Sequence, residues 1–67
     1  MNISINGNTK QFDGENMTIS DIVVTLNLVG KRLAIEKNSE IVPRSQFDAS
    51  ILNDGDKLEI VGAVGGG

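Results

Sequence analysis

One stretch of this chain has a helical repeat, and nearly everything around it alternates. Ile19, Ile22, Val23 and Leu26 fall at i, i+3, i+4 and i+7, a single apolar helical face. On either side, Met1-Asn2-Ile3-Ser4-Ile5, Leu33-Ala34-Ile35-Glu36 and Lys57-Leu58-Glu59-Ile60-Val61 place apolar and polar residues in turn, the period of half-buried strands. A single helix covers only one face of a sheet, so the other face must meet water or a partner. The pattern therefore predicts an α+β domain in which Ile3, Ile5, Leu33, Ile35, Leu58 and Ile60 pack against Ile22, Val23 and Leu26. Burying each such side chain is worth roughly 1.5–3 kcal/mol, most of it offset by chain entropy. Little apolar material is left over to build an internal pocket.

The connections are marked by turn residues. Asn6-Gly7 is a type I′ hairpin signal, returning the chain through a second strand from Thr9 to Phe12. Thr18 followed by Asp21 is a variant capping box that opens the helix. Gly30 is the expected C′ residue, with Lys31 and Arg32 near the helix's negative end. Asn38-Ser39 reads as a turn into a short strand, Glu40-Ile41-Val42, which Pro43 stops. Ser45 to Leu52, with Phe47, Ile51 and Leu52, reads as a loop or helical turn plugging one end of the core. Asn53-Asp54-Gly55-Asp56 is a turn; it has too few spaced acids to resemble a calcium loop.

Composition excludes whole classes of function. The 67 residues contain no Cys and no His, which removes disulfide scaffolds, thiolate metal sites and the commonest general base. Asp13 and Glu15 have no partner acid to suggest carboxylate catalysis, and Arg44 reads as a solvated charge or a donor to a local carbonyl. The net charge is −3 with no basic stripe, and the only aromatics are Phe12 and Phe47, so nucleic acid is not an expected partner. A mildly acidic surface suits solubility or a basic protein partner. Apolar runs are too short to span a bilayer, and no signal-like segment opens the sequence; the expectation is a cytoplasmic location and a monomer when free.

The last residues are the informative ones. Four of the final six are glycine: Gly62, Gly65, Gly66 and Gly67. The sequence divides into a folded domain, 1–61, and a flexible glycine-rich tail, 62–67, reaching roughly 20 Å when extended. Without Cβ atoms a main chain passes through a slot too narrow for side chains, delivering the carboxylate of Gly67 at its end. No Lys-Ser/Thr follows the glycines, so they do not form a phosphate loop. A carboxylate is a poor electrophile and must be activated, for example as an acyl-adenylate, by another protein.

Three further pieces, Ile41-Val42-Pro43-Arg44 with Phe47, Asp54-Gly55-Asp56 with Leu58 to Val61, and terminal Gly66-Gly67, together resemble the ThiS family of sulfur carriers. Phe47 stands where that family often has a larger aromatic, and Gly65 is an additional glycine. The resemblance implies a ubiquitin-like β-grasp fold, a mixed sheet of four to five strands with one helix on one face. It implies no catalysis by the chain itself and no bound cofactor. An E1-like adenylyltransferase (ThiF type), using ATP and Mg, would adenylate Gly67. A sulfur donor protein would then supply the sulfur that makes a thiocarboxylate, and thiazole synthase (ThiG type) would use it for the thiazole ring of thiamine. Gly62, Ala63, Val64, Gly65 and Gly66 would guide the tail into partner active sites. Two other readings stay open: a carrier like the small subunit of molybdopterin synthase, and a β-grasp adaptor whose tail is inert. Alternation puts Lys57, Glu59 and Val61 on the face away from the helix, the expected partner-docking surface.

Overall fold

The computed structural model describes residues 1–62. Among the described residues are five strands and one α-helix: β1 (Asn2–Ile5), β2 (Asn8–Gln11), α1 (Ile19–Thr25), β3 (Leu33–Lys37), β4 (Glu40–Val42) and β5 (Lys57–Gly62). They make one sheet in the order β2-β1-β5-β3-β4. β1 and β5 run parallel, and the other neighbours are antiparallel. This is the mixed five-stranded sheet with one helix of the ubiquitin-like β-grasp.

Both tight hairpins turn as the sequence predicts. Asn6 and Gly7 have φ of 50° and 85°, the positive pair a type I′ turn needs. Asn38 and Ser39 reach the same region, at 51° and 74°, with no glycine at all. In the second turn Asn38 offsets the strain with side-chain bonds. Its Nδ2 donates to Asp56 Oδ1 at 3.0 Å, and its Oδ1 accepts from the Lys57 N–H at 3.0 Å.

The helix begins as predicted and ends earlier than predicted. Thr18 Oγ1 accepts from the Asp21 N–H, and the Asp21 carboxylate accepts from the Thr18 N–H at 2.9 Å, a complete capping box. The two other N–H groups that a helix start leaves unpaired donate to the 47–50 loop, Ile19 to the Ser50 carbonyl and Ser20 to the Phe47 carbonyl. At the other end the C-cap is Leu26 and the left-handed C′ residue is Asn27, at φ 60°, not Gly30. The Asn27 N–H donates to the Val24 carbonyl and the Leu28 N–H to the Val23 carbonyl, the two bonds of a Schellman motif. Asn tolerates that conformation well enough to stop the helix three residues before the glycine. Lys31 and Arg32 accordingly fall outside the last helical turn, which has no basic residue. Gly30, at φ 85°, serves the next turn, closed by the Lys31 N–H on the Leu28 carbonyl.

The core consists of Ile3, Ile5, Ile35 and Leu58 from the sheet, Ile19 and Ile22 from α1, and Phe47 and Leu52 from the loop beyond β4. Leu33, Ile60, Val23 and Leu26, expected to pack with it, do so while only partly buried. The short helix is the reason: seven residues present two fully buried side chains, and the 44–52 segment fills the remaining space. That segment opens with a single 3-10 turn, Arg44–Gln46, after Pro43, and the Leu52 N–H ties back to the Met17 carbonyl at 2.7 Å. Ile51, grouped with the plug by composition, faces out at 49% exposure.

Candidate functional site

The segment that leads to the glycine-rich end is the middle strand of the sheet. β5 pairs with β3 from Leu58 through Gly62 and with β1 over Lys57 and Leu58. Any pull on residues beyond 62 is thus carried into the centre of the fold. Gly62, placed in the tail by composition, is the last residue of β5 and sits opposite Leu33. Backbone pairing needs no side chain, so the strand runs one residue past the boundary expected at 61/62. A Cβ at Gly62 would have open space, so nothing in the folded domain requires glycine there. Ala63, Val64, Gly65, Gly66 and Gly67 lie outside the described residues.

β1 turns away after Ile5, leaving one side of β5 without a strand partner beyond Leu58. Asn6 replaces it. After its N–H donates to the Leu58 carbonyl, its side chain does the work of another strand residue: Oδ1 accepts from the Ile60 N–H at 2.7 Å, and Nδ2 donates to the Ile60 carbonyl at 2.9 Å. Sequence reading finds Asn6 only as a turn residue. The clamp depends on a residue 54 positions away, and no local pattern reports that pairing.

The predicted outer face is where alternation puts it. Lys57, Glu59 and Val61 are exposed, Val61 at 57%. Register adds three neighbours from other strands: Ala34 opposite Val61, Glu36 opposite Glu59, and Ile41 opposite Glu36. Two carboxylates directly across a ladder are mildly destabilising, so the Glu36–Glu59 pair favours a cation from outside. Val61 and the 66%-exposed Ile41 give the same surface apolar area.

Arg44 acts as a local carbonyl donor, its guanidinium bonding the Lys31 carbonyl at 3.3 Å. No group of Asp or Glu residues that could hold a metal ion exists among the described residues. Nor, among the described residues, is any helix long and apolar enough to cross a membrane.

Comparison with known proteins agrees with this architecture. The profile of the ThiS family matches residues 3–67. A thiazole synthase of Paramagnetospirillum magneticum is 42% identical over the whole chain, which spans 20% of that protein's length. The sulfur carrier protein ThiS of Bacillus subtilis is 32% identical over 97% of the chain and 98% of its own. The crystal structure of a thiamine biosynthesis protein (ThiS) from Geobacter metallireducens superposes with a TM-score of 0.86 at 30% identity, covering 100% of both chains. The chain belongs to the ThiS family.

Proposed function

We propose that this chain is a sulfur carrier protein of thiamine biosynthesis, a protein substrate rather than an enzyme. Its reactive group is the carboxylate of Gly67. An E1-like adenylyltransferase of the ThiF type, with ATP and Mg, joins that carboxylate to the α-phosphorus of ATP as pyrophosphate leaves. Hydrosulfide, sulfur at the sulfide level released by a donor protein, then attacks the acyl carbon, and AMP departs with the bonding pair to leave R–C(O)S⁻. The resulting thiocarboxylate gives its sulfur to a thiazole synthase of the ThiG type for the thiazole ring. The chain works as a monomer in the cytoplasm and binds no cofactor of its own. Residues 62–66 supply the slender approach, and the face bearing Lys57, Glu59 and Val61 docks the partner.

The observation that carries this reading is the family match running through Gly66-Gly67 on a chain whose central strand leads directly to them. Glycine at 62, for which the fold has no steric need, fits passage through a narrow channel in a partner. The relationship to thiazole synthases supports the thiamine branch over the molybdopterin one. Deleting Gly67 separates carrier from adaptor. A carrier loses ATP-dependent adenylation altogether while its fold is unchanged, whereas an adaptor with an inert tail keeps its partner binding and its role in the pathway.

A further inference from the structure

On the helix side of the sheet an open groove of about 220 Å³ runs between α1 and the 3-10 turn, lined by Val23, Leu28, Leu33, Phe47, Lys31 and Arg44, among others. Three features set it apart from the rest of the surface. Its position is at the exit of β5: Leu33, in its wall, is the residue paired with Gly62, and the residues before Leu33 lie at the sheet end toward which β5 runs. Its rim is apolar and open, with Val24 65% and Val29 68% exposed. Its charge opposes that of the molecule. In a chain of net charge −3, three of the six cations, Lys31, Arg32 and Arg44, are gathered at this corner, and Lys31 and Arg44 line the groove itself. Ser20, also in its wall, donates its hydroxyl to the Asp48 carboxylate.

We propose that this groove docks an acidic segment of the adenylyltransferase, one presenting a carboxylate to Lys31 and Arg44 beside a branched apolar side chain that packs on Val24, Leu28 and Val29. The inference rests on the carrier reading and adds a second contact to it. A protein that draws residues 63–67 into its active site must bring the mouth of that site against the end of β5, where the groove opens. The outer face, with Glu36 opposite Glu59, favours a basic surface, whereas this corner favours an acidic one. Binding that engages both fixes the carrier's rotation about its tail, which neither contact achieves alone.

The test is steady-state adenylation of the full chain by the purified cognate adenylyltransferase, followed as ATP–pyrophosphate exchange. Lys31 and Arg32 are exposed and outside every strand and helix, so K31E/R32E keeps the fold, checked by its thermal unfolding midpoint. The expected result is a KM for the carrier raised about tenfold with kcat nearly unchanged, as several rim charge contacts would give. V29D raises KM in the same way, and added salt weakens wild-type binding while leaving K31E/R32E less affected. A control with the same change in net charge, K10E/K37E, which leaves this corner intact, moves KM less than about twofold. An unchanged KM in K31E/R32E, or an equal rise in the control, overturns the groove proposal while Gly67-dependent exchange leaves the carrier reading standing. Loss of kcat with unchanged KM also overturns it. Absence of exchange with the wild-type chain overturns the carrier reading itself. A groove occupied by a second copy would show as concentration-dependent association of the chain alone, and that too would refute the proposal.

Discussion

The two faces of the sheet are built from alternate residues of the same strands, yet they meet opposite requirements. On the inner face Ile35 and Leu58 are 0% and 1% exposed and bear directly on Ile19 and Ile22. On the outer face their immediate neighbours Glu36 and Glu59, with Val61 further along β5, form a surface with paired carboxylates and exposed valine. In so small a domain, stability rests on one face, so the other is free to be shaped by partners. Asn6 belongs to neither face. It holds the backbone of β5 from the side, at Leu58 and Ile60.

Breaking the inner face gives the largest effect. Leu58→Ala removes a fully buried side chain from the central strand and is expected to cost about 2–5 kcal/mol, enough to unfold much of a domain this small, read by urea titration followed by circular dichroism. The lateral clamp comes next. Asn6→Ala loses two hydrogen bonds to Ile60 and a residue suited to positive φ, an expected loss of about 1–2 kcal/mol. Hydrogen exchange should quicken at Ile60 more than at the inner end of β3. Ser39→Gly acts in the opposite direction: relieving a non-glycine φ of 74° should stabilise the chain by about 0.5–1 kcal/mol, seen as a higher thermal midpoint. The smallest stability change belongs to the outer face. Val61→Asp should alter unfolding free energy by less than about 1 kcal/mol, yet slow adenylation. If Val61→Asp unfolds the domain, or leaves adenylation at its normal rate, the division of labour between the faces is wrong.

Much of this division is legible in the sequence, for physical reasons. Alternation in β1, β3 and β5 assigns residues to faces correctly because the period of a strand is fixed by its geometry. Thr18 and Asp21 announce the helix start because the capping box is a local bond pattern. The helix end is less legible: both Asn27 and Gly30 can adopt a left-handed conformation, and here both do, so local residue type does not choose between them. Phe47 and Leu52 are legible as a plug at one end of the core, whereas the outward turn of Ile51 depends on how the 44–52 segment folds against Met17 and α1, a tertiary fact. Asn6 is the clearest case. Its turn role is local and was readable, whereas its bonds to Ile60 required knowing which strand lies alongside. At the site, the exposure of Lys57, Glu59 and Val61 followed from alternation, while the Glu36, Ile41 and Ala34 neighbours needed the register. The strand pairing of Gly62 was hidden by a glycine-rich composition that describes side chains and not backbone bonds.

The central claim is that the backbone end is the reagent and the folded body its handle. Intact mass spectrometry of the chain after incubation with ATP, a sulfur source and the cognate adenylyltransferase tests it most directly. The account predicts replacement of one oxygen by sulfur, located by fragmentation at Gly67 and abolished by appending one residue after it. An unmodified mass under conditions that sustain thiazole formation, or full pathway activity from the extended chain, would contradict it.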